Sequence, residues 1–307
     1  MLTPPAVHAT VDTAAAGSAL LAWLMRTFRY HGEAEWVAHI AGGRVTRNGA
    51  IAAAIDALAA GDAIAFAPPP PPSAPPVVPI VHDDPGFVAV DKPAHLVCHR
   101  ASAFPWNTFV PALEARLGVR LEPVHRLDRE TSGVLLLTKD TATFTALQAQ
   151  FVAGRVEKRY LALCHGSPHD DAFTIDAPIG RDEVSAIRDR RAVNVAGKPA
   201  RTECVVLRRF AAHTLLVAVP RTGRTHQLRV HLAHAGLPIV GDKLYGRSDD
   251  DYLAWTAHLK AGGDPRARTR TLLHAQDLAF VHPRTGERLA LHAAPGGDFA
   301  RELASIA

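Results

Sequence analysis

The sequence predicts an α+β protein in which a small module precedes a larger domain, and three observations carry that prediction. Residues 67 to 79 read APPPPPSAPPVVP, a run poor in amide donors that favours extended polyproline geometry and acts as a semi-rigid spacer. Ahead of it lie two segments with helical periodicity and then short alternating strands. Behind it, from Val77 on, many short alternating strands are interrupted by occasional helices. The expected boundaries are 1–67 for the module, 68–79 for the linker and 80–307 for the larger domain, which suits 307 residues at roughly 150 per domain.

In the module, Ser18 can cap a helix that carries Leu20, Leu21, Leu24 and Phe28 on one face. A second short helix carries Trp36, Val37 and Ile40 before Gly42 and Gly43 stop it. Arg44 to Arg47 alternates and runs into Asn48-Gly49, a hairpin signal, and Gly61-Asp62 leads into the alternating Ala63 to Phe66. In the larger domain Phe87–Val90 and Gly133–Leu137 read as strands. Thr141 to Ala153 reads as a helix with Phe144, Leu147 and Phe151 on one face and Gly154 beyond.

Composition narrows the functional classes. With 48% hydrophobic and 21% charged residues the chain is neither wholly disordered nor collagen-like. A net charge of +4, from 34 Lys and Arg against 30 Asp and Glu, permits a polyanionic partner without demanding one. The richest apolar run, Gly133 to Thr138, is far short of the roughly 18 residues of a membrane span. The opening MLTPPAVHATVD lacks the basic-then-apolar pattern of a secretory leader, so the cytoplasm is expected. Cys98, Cys164 and Cys204 are far apart and odd in number, which suits reduced, partly buried thiols.

Three segments bear chemistry. In VHRLDRETSGVLLLTKD, 124 to 140, a polar turn precedes an apolar strand, leaving Asp128 at a strand end between Arg126 and Arg129. A nearby guanidinium keeps a carboxylate ionised, as a nucleophile requires, although from charge alone an Asp between arginines is more often a structural ion pair. In PRTGRTHQLRVHLAHAG, 220 to 236, Leu228, Leu232 and Ala235 make a buried helical stripe that ends at Gly236 and puts Arg229 off the core face. Arg221 and Arg224 stand just ahead of that helix, where the dipole disfavours cations, so an anion should occupy the site: a phosphate or the Asp128 carboxylate. His226, His231 and His234 are spaced by five and three, unlike the four-residue spacing of a helical zinc pair, so no metal is expected. In EKRYLALCHG, 157 to 166, Leu161 and Leu163 share one strand face and Tyr160, Ala162 and Cys164 the other; Tyr160 by itself suits an ordinary strand aromatic.

Together these segments resemble the RluA family of pseudouridine synthases over about residues 80 to 295. HRLDRETSG resembles its aspartate motif, KRYLA its tyrosine motif and GRTHQLRVH its arginine motif, with PIVGDKLYG and LLHAQDLAFVHP following in order. Ahead of them GGRVTRNG and GDAIAF, within residues 15 to 67, resemble the S4-type RNA-binding module. The resemblance implies a mostly antiparallel, mixed central sheet flanked by helices, and an enzyme that detaches uracil from ribose, turns it and rejoins it through carbon with no cofactor. It implies that Asp128 is the nucleophile, attacking the base ring or the sugar carbon or abstracting a sugar proton. Arg229 would pair with it, Tyr160 would stack on the base and serve in the final proton removal, and Arg126 would fill the gap of a flipped nucleotide.

RNA, ribosomal in preference to transfer RNA, is then the expected partner of a monomer. Arg221 and Arg224 would hold the neighbouring backbone or act as scaffold, and Arg26, Arg29, Arg44 and Arg47 of the S4-like module would face RNA phosphates. The sequence departs from the family pattern at His95, where glycine is usual, and at Arg100, where proline is common. Two other classes compete. A non-catalytic RNA-binding or ribosome-assembly protein would keep the fold without turnover, and a nucleoside or glycoside hydrolase, marked by release of free uracil, would usually need two spaced carboxylates, for which only Glu130 is near Asp128 in sequence. Arg247 to Asp251 and the tail after Ala294 read as loop and surface.

Overall fold

The computed structural model describes residues 6–28, 31–69, 77–98, 108–261, 263–264 and 267–306. Arg29, Arg100 and linker residues 70–76 fall outside them. Two compact units emerge, one of residues 1–77 with 99–117, the other of 78–98 with 118–307.

The first unit opens with β1 (Val7–Thr10), α1 (Leu20–Thr27) and α2 (Glu33–Ala41), followed by β2 (Val45–Arg47), β3 (Ala50–Ile51) and β4 (Ala63–Phe66). The four strands form a sheet in the order β1-β4-β2-β3. Leu20, Leu24, Trp36, Ile40, Val45 and Phe66 form its core. Asn48 and Gly49 both adopt positive φ, 51° and 84°, as the tight Asn-Gly hairpin turn requires. Two local expectations are corrected. Ala19, not Ser18, is the N-cap of α1, because the Ser18 hydroxyl donates back to the Ala15 carbonyl at 2.5 Å. Val37 is exposed, since α2 buries only Trp36 and Ile40.

The second unit begins with β5 (Ile80–Asp83) and β6 (Phe87–Lys92). After α3 (Val110–Leu117), which groups with the first unit, come β7 (Glu122–Pro123), β8 (Ser132–Thr138), α4 (Thr141–Val152) and β9 (Glu157–His165). Next are β10 (Ala172–Asp176), β11 (Ile179–Arg181), β12 (Arg191–Val193), β13 (Arg201–Arg209), β14 (His213–Pro220) and α5 (Gln227–His234). The chain ends with α6 (Asp249–Lys260), β15 (Leu273–Val281), β16 (Arg288–His292) and α7 (Gly297–Ser305). The main sheet runs β10-β13-β14-β9-β15-β8-β6-β5, with β16 on β15 and β7 on β8, and β11 and β12 form a separate hairpin. Among the described residues only β15 and β8 pair in parallel, so the sheet is mixed and mostly antiparallel.

Packing on both faces fixes where the loops emerge. All seven residues of β8 are buried, as expected for an interior strand covered on both faces. The alternation of β9 sends Leu161 and Leu163 toward Phe299 of α7, and Ala162 and Cys164 toward Leu228 and Leu232 of α5. Ala235 is exposed as the α5 C-cap, so it lies outside the buried stripe. The stretches 247–251 and 294 onward are more than loop: Ser248 caps α6 and Phe299 anchors α7 in the core. No described helix is long and apolar enough to cross a membrane.

Candidate active site

Asp128 sits in the turn ahead of β8, and its neighbours hold that turn from two sides. Cys98 Sγ accepts the Leu127 N–H at 3.1 Å and donates to the Leu127 carbonyl at 3.0 Å, so this buried thiol serves structure. Lys92, fully buried, donates to the carbonyls of Pro93, Leu96 and Arg129 at 2.8, 2.9 and 3.3 Å, and burial brings its pKa down to about 8. Thr131 N–H closes the turn on the Asp128 carbonyl at 3.1 Å.

Opposite, the 221–226 turn delivers Arg229 from the first turn of α5. Gln227 stitches this turn: its Oε1 accepts from Thr222 Oγ1 and Arg224 N–H at 2.7 and 3.0 Å, while its Nε2 donates to the Arg201 carbonyl at 3.0 Å. Arg229 Nη1 then donates to Asp128 Oδ2 at 3.0 Å, and its other nitrogens are gripped by Asp242. Tyr160, on β9, lies between Ala218 of β14 and Ala275 of β15 in register, so small side chains flank its ring.

These three residues line one cleft of about 620 Å³, together with Arg126, Arg221 and Arg224. Burial pushes the Asp128 carboxyl up, but the Arg229 charge and hydrogen bond, His226 and Arg126 outweigh it and hold it below the usual carboxylate range. Asp128 is therefore an anion at neutral pH, with 23% of its side chain exposed. Burial and the Asp128 charge push the Tyr160 hydroxyl well above its ordinary value, so it remains a phenol.

His226, weighed from the sequence only as a metal ligand, stands beside Asp128. It caps α5 in the left-handed region at φ 57°, which turns its ring inward: Nδ1 lies 2.8 Å from the Tyr245 hydroxyl and Nε2 lies 3.9 Å from Asp128 Oδ1. The Tyr245 hydroxyl also accepts the Arg191 N–H at 3.1 Å, so the hydroxyl that orients His226 is itself fixed by the backbone. Burial and Arg229 lower the His226 pKa, keeping the ring neutral at pH 7. Asp242 and Tyr245 both come from PIVGDKLYG, where the cation beside Asp242, Lys243, pairs with Glu130 at 2.7 Å and the true partner of Asp242 lies 13 residues earlier.

The expectation that an anion, a phosphate or the Asp128 carboxylate, sits beside the three arginines near α5 holds for Arg229 and Asp128, while Arg221 and Arg224 have other partners. Arg221 pairs with Glu203 at 2.6 Å, Arg229 with Asp128 and Asp242, and Arg224 Nε donates to the Pro199 carbonyl at 2.9 Å. Arg126 is exposed and makes no hydrogen bond or ion pair among the described residues. His231 is buried between Thr202 Oγ1 and the Ala177 carbonyl, both at 2.9 Å, which removes it from any histidine cluster. In the first unit Arg47 pairs with buried Asp62 at 2.7 Å, Arg44 is half-buried and Arg26 is exposed. His95, the departure from glycine, adopts φ 69°, a conformation that histidine tolerates better than most side chains.

Comparison with known proteins gives this arrangement its context. The family model for RNA pseudouridylate synthase matches residues 86–234, which span Asp128, Tyr160 and Arg229. Ribosomal large subunit pseudouridine synthase C of Buchnera aphidicola subsp. Acyrthosiphon pisum is 34% identical over 228 residues, covering 74% of this chain and 70% of the relative. The protein of that name from Vibrio cholerae is 38% identical over 219 residues, 70% of this chain and 64% of the relative. Human RNA Pseudouridylate Synthase Domain Containing 1 superposes with a TM-score of 0.58 at 27% identity, covering 73% of this chain and 86% of that one. The chain belongs to the RluA family of RNA pseudouridine synthases.

Proposed function

We propose that this chain converts uridine to pseudouridine in structured ribosomal RNA, with Asp128 as its nucleophilic carboxylate. One observation carries the reading: a carboxylate held ionised by Arg229 at 3.0 Å shares a cleft of about 620 Å³ with a tyrosine and three further arginines. The names of the relatives favour large-subunit ribosomal RNA as substrate. A monomer acting in the cytoplasm, where such RNA is assembled, fits the reading.

A uridine within structured RNA hides its glycosidic bond, so it must be extruded at a cost of roughly a few kcal/mol, offset by stacking and backbone contacts. Tyr160 supplies the stacking ring, and Arg126, exposed and unpaired with acid, enters the gap the base leaves. Asp128 acts on the base ring, the sugar carbon or a sugar proton. The N1–C1′ bond breaks, the C5–C1′ bond forms, C5 gives up its proton and N1 ends protonated, so the product is an isomer and no cofactor is consumed. If Asp128 is esterified on the way, its charge no longer opposes ionisation of Tyr160, which then takes the C5 proton more readily. The S4-like module adds backbone contacts through Arg44, while Arg47 is already occupied by Asp62.

Mapping pseudouridines in RNA from cells with and without the gene tests this reading. Loss of one or a few sites in large-subunit ribosomal RNA is expected, and identical maps contradict it.

A further inference from the structure

Besides Asp128, Tyr160 and Arg229, the cleft is lined by Val124, His125, Gln148, Phe151, Val152 and Lys158. Lys158 stands two residues before Tyr160 on β9 and so on the same face, about 6.8 Å along the strand. Its side chain is half-buried, and its one hydrogen bond among the described residues is a long one, 3.5 Å to the Thr222 carbonyl.

Among the described residues no acid forms an ion pair with Lys158, and Asp128 in the same cleft is held by Arg229. Glu157 points to the other face and pairs with Arg288 at 2.8 Å, Glu203 pairs with Arg221 at 2.6 Å, and Asp277 is shared by Arg159 and His292. His125 lines the same cleft as a neutral ring, its pKa brought down to about 3 by burial and then by Lys158. The wall from α4 carries no charge, being formed by Gln148, Phe151 and Val152, with Phe151 stacked on His125 at 4.9 Å between ring centroids. Removing an ammonium from water without a counter-ion is costly, and burial lowers the Lys158 pKa accordingly. A fold that needed only to pack this face would do better with an apolar side chain there.

We propose that Lys158 forms a phosphate-binding subsite, its ammonium receiving a backbone phosphodiester of the RNA strand next to the uridine that reaches Tyr160. The inference rests on the uridine-modifying reading of the cleft. The phosphate supplies the counter-ion the fold withholds, and Lys158 and Tyr160 present their side chains to the same cleft from one face of β9. Arg221 and Arg224 are less suited to the task, being held by Glu203 and the Pro199 carbonyl.

The test uses the full chain with unmodified transcripts of large-subunit ribosomal RNA, read by binding from 50 to 300 mM KCl and by steady-state kinetics. Lys158→Met is expected to make the salt dependence of log affinity shallower by about 0.7 to 0.9, the loss of one phosphate contact. It should raise KM about tenfold with kcat within about twofold. The melting temperature should stay level or rise, and Lys158→Arg should restore the salt slope. A Met variant with the wild-type slope and KM overturns the subsite, as does one whose melting temperature falls while its slope is kept, because that marks a structural lysine. Wild-type protein that binds with the predicted slope but makes no pseudouridine overturns the enzymatic reading on which the subsite rests, a result distinguishable from failure of Lys158 itself.

Discussion

Asp242 holds Arg229 with both carboxylate oxygens, Oδ2 on Nε at 2.6 Å and Oδ1 on Nη2 at 2.9 Å, which leaves Nη1 to meet Asp128. Asp242 is itself fixed: its side chain is fully buried, and Oδ1 accepts the N–H groups of Leu244 and Tyr245 at 2.8 and 3.1 Å. The Tyr245 ring lies 4.9 Å from the guanidinium, so one turn sets both the height and the plane of Arg229. An arginine aimed this way is a rigid partner that fixes the orientation of the Asp128 carboxylate.

Asp242→Asn replaces one accepting oxygen with an NH₂ group that faces a guanidinium donor. The expected result is a fall in kcat of about 100-fold through misplacement of Arg229 and Asp128, with RNA affinity within about twofold of wild type. Breaking this buried pair should also cost about 3 kcal/mol of stability, read by urea unfolding. Unchanged kcat would show that Arg229 does not depend on this grip.

The pH dependence follows from Asp128. Its folded pKa lies below the ordinary value near ~3.9, so the stability it contributes is fully present above that value and is lost as pH falls through the folded pKa. Activity should accordingly show no acid-side loss between pH 7 and about 5. In Arg229→Gln the burial that raises Asp128 loses its main opponent, and the acid limb of the residual rate should move up into that window. A limb that stays put would sever the proposed link between the two side chains.

Gly133 has φ 112°, and a Cβ there would stand 2.1 Å from the Ala275 carbonyl oxygen, where β8 and β15 run parallel. Gly133→Ala should therefore cost about 4 kcal/mol from strain plus overpacking. Gly286→Ala, also at positive φ but with no atom within 4 Å of the Cβ, should cost only about 1 kcal/mol. Equal losses in chemical unfolding would contradict the close approach of the two strands.

His95→Gly should stabilise the protein by about 1 kcal/mol. It relieves the left-handed backbone and removes a buried Nδ1 that has no hydrogen-bond partner among the described residues, gains that exceed the added freedom of the unfolded chain. A thermal midpoint below wild type would mean that the imidazole contributes packing that outweighs both.

What could be read from the sequence was whatever local periodicity or a contiguous motif encodes. The strands at 87–90 and 133–137, the helix after Asp140 and the two faces of the 157–165 strand are all patterns of nearest neighbours, and the structure has them. Asp128, Tyr160 and Arg229 stand out in separate motifs, and only the topology, with β9 between β14 and β15, shows that they line a common cleft. Groups whose roles depend on distant partners were invisible. Asp242 bonds to a residue 13 positions away, Lys92 reaches the Arg129 carbonyl 37 positions away, and the acid that neutralises Arg221 comes from another strand. The Ser18 cap failed for the converse reason, since a strong local preference lost to an equally local hydrogen bond running backward.

The most direct test of the account compares purified wild-type protein and Asp128→Asn on unmodified large-subunit ribosomal RNA, digested to nucleosides and analysed by mass spectrometry. The account predicts stoichiometric pseudouridine at defined positions with the wild type, and RNA binding without conversion in the variant. Conversion by Asp128→Asn at the wild-type rate, or release of free uracil in place of pseudouridine, would contradict it.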